Sequence, residues 1–230
     1  MKRQNTTNSP KIIKSTEDVD NFIFIYSAQD KMFVLVFDTE TSGLPIKGAK
    51  VSSETWPYIV QFSFVFIDTD TGNHEAHDYI IKGPFTIDED AVKIHGITKR
   101  RSDECGFDFR DVFEIFKLYL DRSEFIVAHN IDFDLNMLRV ECLRRGVEFE
   151  DSKLPVTYCT MKKNVDRCGL MNERGYAKYP KLSELYDHFF HREVKSLHNS
   201  LVDTYVCLCC FYRCALKKDP PSSIVNKIHS

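Results

Sequence analysis

The stretch Val34–Pro45, "VLVFDTETSGLP", decides the fold. Its first four residues are apolar throughout, as for a strand buried on both faces, and Gly43 and Pro45 supply the turn that ends it. Asp38 and Glu40 occupy alternate positions at that end, so both carboxylates leave the same face of the strand just before the turn. Burying such a pair unpaired costs several kcal/mol, so a folded chain keeps it only with a compensating cation or with solvent. Hard oxygen ligands favour Mg²⁺ or Mn²⁺ over zinc.

Outward from that strand, Tyr58–Asp68 reads as a second long strand, Asp68–Asn73 as a turn and His74–Lys82 as the antiparallel partner, which makes a meander. Asp88–Thr98 reads as a short helix ended by Gly96, and Asp108–Glu124 as a stronger one whose stripe is Val112, Phe113, Phe116, Tyr119 and Leu120. Glu124–Asn130 is a short apolar strand, followed by a helix from Asp134 that closes at Gly146. Leu154–Thr160 is the candidate last strand. Pro180–Phe190 is read as a helix with Pro180 at its start, and Asn199–Leu216 as one ending in Lys217 and Lys218. Strands that come first as a meander and then alternate with helices predict an α/β protein with a mixed five-stranded sheet, antiparallel then parallel, flanked by helices. The domain spans 32–218, between an N-terminal arm, 1–31, in which Val19–Tyr26 is a short apolar segment, and a C-terminal tail, 219–230.

At 230 residues and 43% hydrophobic, the chain has material for one sizeable core. No apolar stretch reaches the roughly 20 residues needed to cross a bilayer, and the N-terminus is basic then polar, without a secretion signal. Eight cysteines, half of them crowded into "CLCCFYRC", do not form a disulfide framework. These features predict an intracellular protein, cytoplasmic or nuclear. Cys207, Cys210 and Cys214 share one helix face, which reads as core packing rather than zinc ligation. A net charge of −3 denies the chain the basic footprint of most sequence-independent nucleic-acid binders, yet acidic metal ligands would offset basic residues that guide a strand.

Two further acidic clusters follow. "HNIDFD", His129–Asp134, lies just past a strand end where a helix begins. "LHNSLVD" places His198 and Asp203 five apart, about 140° around a helix axis, so His198 belongs to the loop entering the helix. "FDTETSG", "HNIDFD" and "HNSLVD", in this order and spacing, resemble the three motifs of the DEDDh (DnaQ-like) 3′-to-5′ exonucleases, and "WPYIVQFSFVFID", "IHGIT" and "YPKLSELYDHFF" between them match as well. The resemblance covers roughly residues 33–216 and implies a ribonuclease H-like fold.

Carried over residue by residue, the resemblance implies that Asp38 and Glu40 are the acidic pair of the first motif, Asp134 the acid of the second, Asp203 the last acid and His198 the general base. The motif selects Asp134, after the phenylalanine, and leaves Asp132 as a helix N-cap. It implies two Mg²⁺ or Mn²⁺ ions, with Asp38 bridging them, Glu40 and Asp203 on the side of the attacking water and Asp134 on the side of the leaving 3′-oxygen. For the substrate, Thr41 and Leu44 would meet the terminal nucleotide, and Gln61 falls where some relatives bond the 3′-hydroxyl. His95 and Phe133 can stack on bases, or serve only as a turn histidine and a core phenylalanine. Asn130 can bond the substrate or cap the turn. Lys99–Arg101, Arg144 and Arg145 can guide phosphates or be solvated charge.

The expected partner is nucleic acid with a free 3′ end, DNA before RNA, with a polymerase or repair protein as a possible second. The competing readings are an RNA-trimming exoribonuclease, and a silent nucleic-acid-binding protein that keeps the fold without cleavage.

Overall fold

The computed structural model describes residues 31–48, 50–51, 55–194 and 197–229. The arm expected over 1–31 lies outside these residues except for Lys31, whose ammonium pairs with Asp68 at 3.2 Å. A five-stranded sheet runs in the order β3-β2-β1-β4-β5, built from β1 (Phe33–Thr41), β2 (Ile59–Asp68), β3 (His74–Ile80), β4 (Phe125–Ala128) and β5 (Val156–Cys159). The first three strands form the antiparallel meander, and β4 and β5 add in parallel to β1. The helices longer than a single turn are α1 (Glu89–His95), α2 (Lys99–Cys105), α3 (Phe109–Leu120), α4 (Ile131–Arg145), α5 (Leu182–Phe190), α6 (Ser200–Phe211) and α7 (Ser222–His229).

Strand alternation sorts the apolar residues into two cores. Val34, Val36, Val65, Phe125 and Val127 face α5, α6 and α7, whereas Leu35, Phe37, Phe62, Phe64 and Ile126 face α3 and α4. Val34 to Phe37 are fully buried on both sides, as the unbroken apolar run requires. Buried area of this kind stabilises by about 25 cal/mol per Å² of apolar surface, so the sheet's centre is a main source of the fold's stability. Because β1 and β4 run parallel, their carboxyl ends meet at one edge of the sheet, and the second motif follows β4 there.

Several local expectations change. Lys99–Arg101, read only as a charge run, opens helix α2: Thr98 accepts from the Arg101 N–H at 3.2 Å as its N-cap. Helix α4 starts at Ile131, so Asp132 lies inside its first turn, paired with Lys162, and Asn130 is the N-cap residue. Pro180 precedes α5 by two residues, and Lys181 is the N-cap residue, its N–H donating to Glu184 Oε2 at 2.8 Å. The last long helix changes to π-helical winding over Tyr212–Leu216 before Lys217 ends it in the left-handed region. The segment read as a tail carries α7, whose Ile224 and Ile228 are buried against α6. Cys207, Cys210 and Cys214 are buried core residues, as is Cys209.

Candidate active site

Asp38 and Glu40 end β1 on its α6 side, and Asp203, in the first turn of α6, meets them there. One carboxylate oxygen from each of the three lies within 4.8 Å of the other two. Two contacts bolt the start of α6 to this strand end and to the neighbouring β2. The Ser200 hydroxyl donates to the Asp38 carbonyl at 2.7 Å, and the Ser200 N–H donates to Gln61 Oε1 at 3.4 Å. Gln61, opposite Glu40 in the sheet register, donates in turn to Asp78 Oδ1 at 2.7 Å, an oxygen that also accepts from Ser63 at 2.7 Å. Asn199 caps α6 by accepting from the N–H groups of Leu201 and Val202.

His198 lies in the entering loop, as its spacing required, with φ +74° and an exposed side chain. Its backbone N–H donates to Asp203 Oδ2 at 3.1 Å, while Asp203 Oδ1 is buried without a hydrogen-bond partner. An orphaned, buried carboxylate oxygen costs about 1–3 kcal/mol or more for a charged group, and among two other carboxylates a cation is the partner that fits it. The residues present therefore suit a divalent metal with oxygen ligands.

Asp134 arrives from the other face of the sheet, on α4. It is 3% exposed, and its Oδ1 accepts from the Thr39 N–H at 3.2 Å and the Thr39 hydroxyl at 2.8 Å. Thr39, between the two acids of the first motif, thus ties the second motif to the first. Asp134 stands outside the close group of three oxygens but near enough to Asp38 to feel its charge.

Burial, with each carboxylate repelling its neighbours, pushes the whole cluster up. Asp38 rises to about 7, chiefly through burial, Glu40 to about 8 through burial and then the charges of Asp38 and Asp203, and Asp203 to about 8 through burial and then Asp38. Asp134 is raised too, by burial and then Asp38. The fold therefore holds protons that the unfolded chain has already released, and stability from these groups, full at about pH 4 and below, falls as pH rises towards 8. The metal-free protein is expected to melt lower at pH 8.5 than at pH 5.5. Mg²⁺ or Mn²⁺ at a hundred times its dissociation constant should restore about 2.7 kcal/mol, roughly 5–10 °C in Tm. Calorimetry at the two pH values, with EDTA or metal, checks both signs, and an unchanged Tm on adding metal would remove the cation from the site.

The other expected residues divide. Leu44 is 85% exposed beside the site. Thr41 turns its hydroxyl onto the Gly43 carbonyl at 2.7 Å, and its own carbonyl accepts from His95 Nε2 at 3.3 Å. His95 Nδ1 accepts from the Ile97 N–H at 3.1 Å, so this ring is held neutral, and burial lowers its pKa further. Phe133 packs on Trp56 with ring centroids 6.5 Å apart. Asn130 adopts φ +74° with no side-chain cap bond. Gln61 has both ends of its amide engaged within the fold. Gln61, His95, Asn199 and Arg101 also line a cavity of about 190 Å³.

Of the basic candidates, Lys99 and Arg100 pair with Asp103 and Glu104 on α2, and Arg144 and Arg145 turn inward onto the buried Glu141. The roles of Ser200, Asp78 and Thr39 were not foreseen. The register of β2 on β1 and β3, which sets Gln61 beside Glu40, was the signal that could have found Asp78. Among the described residues this acidic cluster is the one group of His, Cys, Asp or Glu side chains arranged to hold a metal ion.

A mixed sheet in this order, with an acidic cluster at the carboxyl end of its first strand, is the arrangement of a ribonuclease H-like fold. The profile of the RNase_T exonuclease family matches residues 35–211, and the chain belongs to that family. It is 29% identical over 143 residues, 57% of its length, to a PolC-type DNA polymerase III of Mycoplasmopsis pulmonis, of which it spans 9%. Among solved structures it is similar to E. coli exonuclease I in complex with an oligonucleotide (TM-score 0.60, 16% identity, 86% of this chain and 43% of that one). It is also similar to the nuclease domain of 3′hExo, a DEDDh family member bound to rAMP (TM-score 0.57, 12% identity, 80% of this chain and 91% of that one). At these identities the two structures speak for the fold. No helix among the described residues is long and apolar enough to cross a membrane.

Proposed function

We propose that the protein is a divalent-metal-dependent 3′-to-5′ exonuclease of the DEDDh type, which hydrolyses phosphodiester bonds from the 3′ end of DNA, single-stranded or frayed, and releases nucleoside 5′-monophosphates. The observation that carries this reading is the meeting of Asp38, Glu40 and Asp203 within 4.8 Å beside a buried, unpartnered carboxylate oxygen, in a chain of an exonuclease family.

In this reading Asp38, Glu40, Asp203 and Asp134 hold two Mg²⁺ or Mn²⁺ ions. When bound, the ions neutralise the acids and stabilise the charge that develops on the attacking and leaving oxygens. The chain's own residues set the stage for that chemistry. The Ser200 and Gln61 contacts fix Asp203 against Asp38, and Thr39 fixes Asp134. His198, held beside Asp203 through its backbone and exposed at its ring, accepts the proton of the attacking water, which an imidazole does without adding negative charge to an acidic site. Leu44 meets the terminal base, and Thr41 lies along its path.

The same reaction on RNA is the competing reading, favoured by the likeness to a nuclease domain bound to rAMP. The similarity to part of a polymerase supports a polymerase or repair protein as partner. The test is degradation of 5′-labelled DNA and RNA oligonucleotides with single-stranded, blunt or 3′-recessed ends. A ladder shortening from the 3′ end and stopped by EDTA is expected; no shortening with folded, metal-supplied protein would move the weight to binding without cleavage. His198→Ala is expected to lower kcat by about 10²–10⁴-fold while metal binding persists. Near-normal turnover of that variant from pH 6 to 9 would take His198 out of the reaction.

A further inference from the structure

The segment between β5 and α5 carries a hairpin that the acidic site does not use. Met171 and Ala177 bridge antiparallel, the Asn172 N–H donates to the Tyr176 carbonyl at 2.8 Å, and the Lys178 N–H donates to the Leu170 carbonyl at 2.9 Å. Its turn is rigid. The Gly175 N–H closes on the Asn172 carbonyl at 2.9 Å, Gly175 takes φ +77°, and Asn172 Oδ1 accepts from the N–H groups of Arg174 and Tyr176. A glycine in the left-handed region after a tight turn is a common way to close a short hairpin.

This hairpin is anchored only at its base, and the base belongs to the acidic edge. His129, the first residue after β4, donates from Nε2 to the Pro180 carbonyl at 3.0 Å and accepts at Nδ1 from the Thr160 hydroxyl at 3.0 Å. Lys162 pairs with Asp132, two residues before Asp134. From Met171 to Ala177 every residue is exposed, although two-stranded hairpins are marginal without a packed face. Met171, Tyr176 and Tyr179 are nonetheless 62%, 69% and 58% exposed. The charge here is also local: residues 160–184 hold six basic and three acidic side chains, an excess of three positive charges in a chain whose net charge is −3. Arg174, at the turn, has no ion pair among the described residues, while Lys178 is held by Glu184 at 2.7 Å.

We infer that the hairpin is a platform for the single strand that leads to the acidic site: Tyr176 and Tyr179 stack on bases upstream of the terminal nucleotide, and Arg174 meets the phosphate backbone between them. Exposed aromatic rings with neighbouring cations suit a single strand because every base has a π-face and every linkage a charge. The inference rests on the reading that the acidic cluster cleaves at a 3′ end.

The test separates the two by substrate length. The p-nitrophenyl ester of thymidine 5′-monophosphate engages only the acidic site, whereas a labelled 12-nucleotide strand reaches the hairpin. For Tyr176→Ala/Tyr179→Ala, turnover of the ester is expected within twofold of wild type, and KM for the 12-mer is expected to rise about tenfold or more with kcat kept. Arg174→Ala should flatten the logarithmic salt dependence of 12-mer binding by about 0.7. An unchanged KM on the 12-mer, or equal losses on both substrates, overturns the platform. Should wild type cleave neither substrate, the reading of the acidic site fails instead. The platform is then decided by anisotropy of the 12-mer without metal: a tenfold weaker dissociation constant in the double variant supports it, and equal constants or no binding by wild type overturns it.

Discussion

Asp38→Asn is expected to abolish hydrolysis, by about 10³-fold or more in kcat/KM, while making the metal-free protein more stable at pH 8. The two effects have one origin. Burial raises the pKa of Glu40, Asp134 and Asp203 most, and Asp38 is the one acid whose charge adds to the rise in all three, so it stands at the electrostatic centre of the cluster. Removing its charge takes away the ligand through which the ions would be shared. Metal stabilisation of developing charge is worth several kcal/mol, and each 1.36 kcal/mol is tenfold in rate. The same change removes a buried charge and lowers the repulsion on its neighbours, so the fall in stability between about pH 4 and pH 8 should flatten. Asparagine keeps the shape, and the Ser200 hydroxyl still reaches the residue's backbone carbonyl, so α6 should stay in place. Oligonucleotide hydrolysis, Mn²⁺ titration and melting curves on one preparation read all three consequences. A variant that lost activity without losing metal affinity would place Asp38 outside the metal's ligands.

Glu141→Ala carries the largest expected loss of stability, about 3–5 kcal/mol, or roughly 10 °C in Tm. Glu141 is fully buried on α4 and is held by Arg144 at 3.3 Å and Arg145 at 3.1 Å, while its Oε1 also accepts from the Ile59 N–H at 3.2 Å. Arg144 in turn donates to the carbonyls of Trp56 and Pro57 and lies over the Tyr58 ring at 4.1 Å. Truncating the carboxylate leaves two partly buried guanidiniums and a backbone N–H without their acceptor, and the missing charge is what makes the cost high. The loss reaches the site through Tyr58, which exchanges hydrogen bonds with Ser42 at 2.8 and 2.9 Å just past the acidic pair. Activity per folded molecule should therefore fall modestly beside the stability, and Glu141→Gln, which keeps an acceptor, should lose less of both. A melting point unchanged in the alanine variant would mean that Arg144 and Arg145 are held by other contacts.

The second case also marks where reading residues one at a time stops. Arg144 and Arg145 look like any exposed basic pair closing a helix, and only the fold shows that Glu141, three and four positions earlier, is buried under them. The Lys99–Arg101 run was legible as exposed charge, but the helix that carries it was not. Its ion pairs, Lys99 with Asp103 and Arg100 with Glu104, are the four-residue spacing of a helix, and Thr98 supplies the cap, so that signal was present but short. Asp132 was expected as the N-cap and lies two residues past it, because Asn130 enters α4 in the left-handed region, which a sequence rarely announces.

The sequence by itself determined the sheet and the positions from which the acids come. An unbroken apolar run makes a strand buried on both faces, alternation puts Asp38 and Glu40 on one side of its end, and five-residue spacing keeps His198 in the loop before Asp203. These are consequences of backbone period and burial, which act over a few residues. Tertiary structure alone decided how the acids stand to one another. Asp203 closes on Asp38 and Glu40 because Ser200 joins α6 to Asp38 of β1 and to Gln61 of β2, and Asp134 reaches the same edge from the opposite face because Thr39 receives it. Those contacts link residues some 95 to 162 positions apart, and no local pattern carries information across such a separation until the chain has packed.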